Sequence, residues 1–180
     1  MTTATAKVWD PLVRVFHWGL VASFAVAWLS AGEMQSLHEW AGYAAAALIG
    51  FRLLYGLFGP HYARFSQFLR GPKPTLGYAR DVVRGRERRY LGHNPLGGLM
   101  VIALLATMAA IALTGFMMTT DAYWGVAWVE ETHETLANLM LVLVGLHVIG
   151  VVFASFAHHE NLVLAMITGR KRAAETGDVI

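Results

Sequence analysis

Four long runs of apolar residues, separated by polar segments, set the pattern of this chain. They extend over about Val13 to Ala31, Leu37 to Phe58, Leu96 to Met118 and Thr132 to Ala157. Each is long enough to cross the roughly 30 Å hydrocarbon core of a bilayer as a helix, which takes about 20 residues. The five prolines punctuate the runs without entering their interiors: Pro11 precedes the first, Pro60 follows the second, Pro72 and Pro74 lie between the second and third, and Pro95 opens the third. At a first helical position the missing proline N–H costs nothing. The pattern predicts an all-α fold, a four-helix transmembrane bundle forming one domain over residues 1–180, with a short turn at 32–36, a long loop at 59–94 and a moderate loop at 119–131. Small residues at Ser30, Ala31 and Gly32 follow the first run as they would a signal peptide. That run is long for a signal sequence, and Arg14 and the aromatic residues around His17 flank it, so it reads as an uncleaved span.

Composition agrees with this reading. The chain is 56% hydrophobic and 14% charged over 180 residues, far more apolar than a soluble core of this size needs. There is no cysteine, which excludes disulfides, iron–sulfur clusters, thiolate metal sites and covalent haem attachment through C-x-x-C-H. Any metal chemistry falls to the eight histidines.

Charge is segregated along the chain. The long loop carries Arg64, Arg70, Lys73, Arg80, Arg84, Arg86, Arg88 and Arg89 against Asp81 and Glu87, and the tail adds Arg170, Lys171 and Arg172. By the positive-inside rule these segments and both termini are expected in the cytoplasm. The opposite side holds Glu33, Glu39, Asp121, Glu130, Glu131 and Glu134 and no Lys or Arg. Nothing in this distribution suggests a nucleic-acid partner. Within the long loop, Leu76, Ala79, Val82 and Val83 recur at helical spacing among basic residues and predict a short helix on the cytoplasmic membrane surface. Tyr123, Trp124 and Trp128 read as an interfacial aromatic belt.

Histidines at membrane depth are uncommon and call for a functional account. His133 and His147 are 14 residues apart on the fourth span, close to four turns, so they share a face and differ in height by about 21 Å. His38, near the outer start of the second span, matches the depth of His133, and His17, near the inner start of the first, matches His147. These depths predict two pairs, His38 with His133 and His17 with His147, each holding one b-type haem between helices. Bis-histidine ligation fills both axial positions of the iron and favours electron transfer over substrate chemistry. Zinc fits poorly, because each pair offers two ligands where zinc takes three or four. Arg52 lies 14 residues after His38 on the same face, at the inner depth, where a haem propionate would partner it. Arg14, one turn before His17, is a second candidate for that role. Taken singly, any of these histidines could instead hydrogen-bond across helices. His61, His93, His158 and His159 sit in or beside the cytoplasmic segments, and a third pair of His93 and His158 is disfavoured. Gly19, Gly42, Gly115 and Gly145 lie within the spans, where they admit either a macrocycle or a close neighbouring helix.

Several segments taken in order, Trp9-Asp10-Pro11 with Phe16-His17-Trp18, Gly92-His93-Asn94-Pro95-Leu96-Gly97, His133-Glu134-Thr135-Leu136-Ala137-Asn138 with His147, and Glu160-Asn161-Leu162 onward to Arg172, resemble the bacterial cytochrome b561 family. That family includes the b-type cytochrome subunits of nickel–iron hydrogenases, and the short four-helix chain looks more like its stand-alone branch. The resemblance covers nearly the whole chain. It implies a di-haem protein of the bacterial cytoplasmic membrane, with haem ligands at His17, His38, His133 and His147. It also implies electron exchange between ubiquinone or menaquinone and a periplasmic partner, for which a c-type cytochrome is the expected carrier. A homodimer or larger complex is consistent with the resemblance. Some relatives oxidise superoxide and reduce ubiquinone. That alternative is weakened here by six carboxylates on the outer side, which repel an anion.

Overall fold

The computed structural model describes residues 4–180 and is helical over most of that length. Four long helices, α1 (Pro11–Ser30), α2 (Gln35–Phe58), α5 (Pro95–Met118) and α6 (Ala127–Ala157), are long and apolar enough to span a membrane. The expected all-α class and four spans are therefore present. The fourth helix begins five residues before the predicted start, at Ala127 rather than Thr132. Its 31 residues rise about 46 Å, more than a hydrocarbon core needs, so the extra turns lie at headgroup level or in water. Hydropathy marks where a helix is buried in lipid, not where its hydrogen bonding starts.

Local chemistry sets the helix ends. Asp10 Oδ1 accepts from the backbone N–H of Leu12 and Val13 at 2.9 and 3.2 Å and caps α1, with Pro11 in the first turn. Asn94 Oδ1 does the same for α5, accepting from Gly97 at 2.7 Å beside Pro95. The long loop carries α3 (Phe65–Phe68) and the surface helix predicted from its spacing, α4 (Pro72–Val83). A last short helix, α7 (Leu162–Thr168), is capped by Asn161 and stops at Gly169, whose φ of 80° suits a residue without a Cβ.

The chain packs as two compact units. The first comprises Met1–Arg14, Tyr55–Ile102 and Leu146–Ile180, and the second Val15–Leu54 and Ala103–Gly145. In the first unit, strands β1 (Thr5–Lys7) and β2 (Arg170–Arg172) pair antiparallel, with Thr5 opposite Arg172. Val8, Trp9, Val13, Ala63, Leu91 and Ala165 form its hydrophobic core. The tail, read from sequence only as a basic cytoplasmic extension, thus folds back into a sheet. In the second unit, α1 and α2 approach closely where Gly19 meets the Leu48 side chain, 3.3 Å from where a Cβ would stand. Large apolar side chains on the long helices point outward, among them Leu29, Phe58, Ile149 and Phe156. In water that surface would be untenable, and in lipid it is the solvated face.

Candidate functional site

In the second unit the rings of His38 on α2 and His133 on α6 stand 6.1 Å apart, centre to centre, at an interplanar angle of 70°. Two imidazoles bound to one metal through bonds of about 2 Å have ring centres about 6 Å apart. The observed separation fits a single iron between the two rings.

The protein holds both histidines by the same ring atom. His38 Nδ1 lies 2.8 Å from the carbonyl oxygen of Ala27, an acceptor only, so Nδ1 carries the proton and donates it. His133 Nδ1 lies 3.0 Å from Thr114 Oγ1. That hydroxyl also sits 2.9 and 3.0 Å from the carbonyl oxygens of Ala110 and Ile111, which take its single proton. Thr114 therefore accepts from His133. With both Nδ1 atoms donating, Nε2 of each ring is unprotonated and is the nitrogen left able to bind a metal. Thr114 is buried. Gly115, next to it, leaves room for the ring: a Cβ there would come 3.0 Å from His133 Cε1. At Gly42, one turn inward from His38, nothing lies within 4 Å of a would-be Cβ, so helix packing is not what requires glycine there.

The same unit contains His17 and Arg52. Arg52 is buried at 3% exposure in the apolar stretch of α2, with its guanidinium carbon 6.0 Å from the centre of the buried Phe16 ring. His147 and Arg14 belong to the first unit. Arg14 extends Nη1 to the carbonyl oxygen of Ile167 at the end of α7, so part of its donor capacity ties helix ends together. His93 is packed between Trp9 and Phe68, at 4.7 and 4.6 Å between ring centres, a role in aromatic packing that sequence position alone did not show. His158 follows the end of α6, and burial pushes its imidazole below the usual histidine range. Among the described residues no group of three or more His, Cys, Asp and Glu side chains forms a metal cage. The His38 and His133 pair offers two ligands, fewer than the three or four a zinc centre takes.

Reading the sequence did not find Thr114 or the Ala27 carbonyl. A hydroxyl residue in the third span was the only available signal, and a carbonyl acceptor has none. It also missed a buried ionic cluster in the first unit. Arg89 Nη2 pairs with Glu160 at 2.7 Å, its Nη1 pairs with Asp178, and Lys171 Nζ approaches Glu160 at 3.2 Å. Lys171 Nζ also donates to the carbonyl oxygens of Tyr90 and Leu91, both at 3.0 Å. Burial disfavours the charged form of Glu160, but the Arg89 hydrogen bond, the Lys171 charge and the Arg172 N–H outweigh it and hold the carboxyl below its ordinary range. Burial also lowers Lys171 despite the nearby Glu160 charge.

The family model for prokaryotic cytochrome b561 matches residues 8–169. No curated protein matches the chain.

Proposed function

From its membership of the prokaryotic cytochrome b561 family, which makes this chain a membrane-embedded b-type cytochrome that transfers electrons, we propose that residues 1–180 form one domain holding two haem b groups. His38 and His133 hold one, and His17 and His147 hold the other. The reading is carried by the 6.1 Å separation of the His38 and His133 rings, with both Nδ1 atoms already committed. Bound there, each haem supplies a one-electron iron couple.

The chain's own residues do the rest. Ala27 O and Thr114 Oγ1 hold the two rings in the tautomer that presents Nε2, and they raise the basicity of the ligands. Arg52 neutralises a propionate at the inner haem, with Arg14 the second candidate. The apolar walls keep water from the iron. Both termini and the basic loop face the cytoplasm, and the carboxylate-bearing turns face the periplasm. Exposed Glu33, Asp121, Glu130, Glu131 and Glu134 there attract a carrier with a basic patch, such as a c-type cytochrome, and quinone is the partner within the membrane. The same charges disfavour superoxide as the electron donor. A homodimer or larger complex is compatible with this role.

A reduced-minus-oxidised spectrum of the purified protein, with haem counted per chain, tests the proposal directly. Sharp b-type bands at two haems per chain are expected. A count of one, or His133→Ala leaving the count unchanged, would overturn the assignment. Stopped-flow reduction of the protein by a basic c-type cytochrome should slow steeply as salt rises, and indifference to ionic strength would remove the proposed partner.

A further inference from the structure

The surface helix α4 carries two ranks of side chains on its outward half. At about 100° per residue, Leu76 and Val83 fall within about 20° of each other, and Ala79 lies about 60° to one side of Leu76. On the other side, within about 80° of Leu76, follow Arg80, Lys73 and Arg84. Tyr78, roughly opposite, is buried against the rest of the unit. Leu76 and Val83 are 59% and 88% exposed, side by side on a helix whose opposite face is buried. Among the described residues no carboxylate lies within ion-pair distance of Lys73, Arg80 or Arg84. Leu76, Ala79, Arg80, Val83 and Arg84 line a shallow depression of about 340 Å³.

The chain enters this segment from one membrane span, which ends at Phe58, and returns to another at Pro95. A helix tethered at both ends to the bilayer, with an apolar rank beside a basic one, meets lipid at the depth where acyl chains give way to phosphates. Arg80 and Arg84, one turn apart, both line the apolar depression, so a phosphate above and an acyl chain below would contact both ranks at once. A zwitterionic lipid would satisfy the apolar rank but leave three cations without a net negative partner.

We propose that this face of α4 is a docking site for an anionic phospholipid, held by Arg80 and Arg84 at its phosphate and by Leu76 and Val83 along its chain. The test uses the full chain purified in a mild detergent, titrated with phosphatidylglycerol or phosphatidylcholine and followed by native mass spectrometry. Phosphatidylglycerol is expected to be retained in preference. Arg80→Gln with Arg84→Gln should weaken that retention about 30-fold, at about fivefold per cation, without changing phosphatidylcholine binding or haem content. Lys73→Gln alone should cost about fivefold, which keeps the test open if the double variant expresses poorly. Equal retention of the two lipids, retention unchanged by the arginine substitutions, or displacement of phosphatidylglycerol by inorganic phosphate would each overturn the proposal. So would a Leu76→Asn/Val83→Asn variant that changes oligomeric mass and leaves lipid retention intact, since that outcome assigns the face to a second copy.

Discussion

The two units treat buried polarity in opposite ways. The first holds thirteen of the fourteen Lys and Arg and half of the twelve carboxylates, and where it buries charge it buries both signs together, as Arg89 with Glu160 and Asp178. The second has Arg52 as its single cation and pairs none of its six carboxylates inside the protein, yet it buries hydroxyl groups and half-buries imidazoles among apolar helices. In the first unit Arg89 and Lys171 find carboxylate and carbonyl partners within the protein. At His38 and His133 it supplies a hydrogen bond to one nitrogen of each ring and sets the two rings 6.1 Å apart. Charges paired within the protein can fasten segments together, whereas imidazoles with one nitrogen committed keep the other available to a ligand.

Four changes would break or sharpen that contrast. The largest effect is expected from His38→Ala or His133→Ala, each of which should drop haem content from two per chain to one. Loss of both haems together would mean the two sites are not separable.

Next comes Arg89→Ala. Removing one partner of a buried pair leaves Glu160 and Asp178 uncompensated, a loss of about 3–5 kcal/mol, visible as a lowered Tm with the haem count per folded chain unchanged. A shift no larger than that of an exposed arginine such as Arg86→Ala would show that the cluster adds nothing to stability.

Thr114→Val keeps the shape and removes the acceptor for His133 Nδ1. Losing the hydrogen bond that orients a ligating histidine weakens metal binding by about 10–100-fold. Faster haem loss to an apoprotein acceptor would report it, and Thr114→Ser should restore the wild-type rate.

The smallest effect is expected from acid. Glu160 is held below its ordinary range in the folded protein, so its contribution is complete above the unfolded value near 4.5 and is lost as pH falls through the lower folded value. Tm should therefore decline in that acid window, and Glu160→Gln should flatten the decline.

The helices and the histidines worth attention were legible in the residues alone. A hydrocarbon core admits only segments of sufficient length that satisfy their own backbone, and hydropathy and proline placement record that requirement directly. Helical spacing likewise places His133 and His147 on one face, because the period is a property of the backbone. The placement of Leu76, Ala79, Val82 and Val83 anticipated α4 for the same reason. The rest depends on contacts between residues far apart in the chain. Ala27 O reaches His38 across 11 positions, Thr114 reaches His133 across 19, and Arg89 finds Glu160 across 71. Trp9 and Phe68 enclose His93 from two separate segments, and the tail strand at Arg170–Arg172 finds Thr5–Lys7 at the other end of the chain. A periodic pattern shows which face of a helix is apolar. Which acceptor meets a given ring nitrogen, and therefore which nitrogen is left for a metal, is set by how the helices pack.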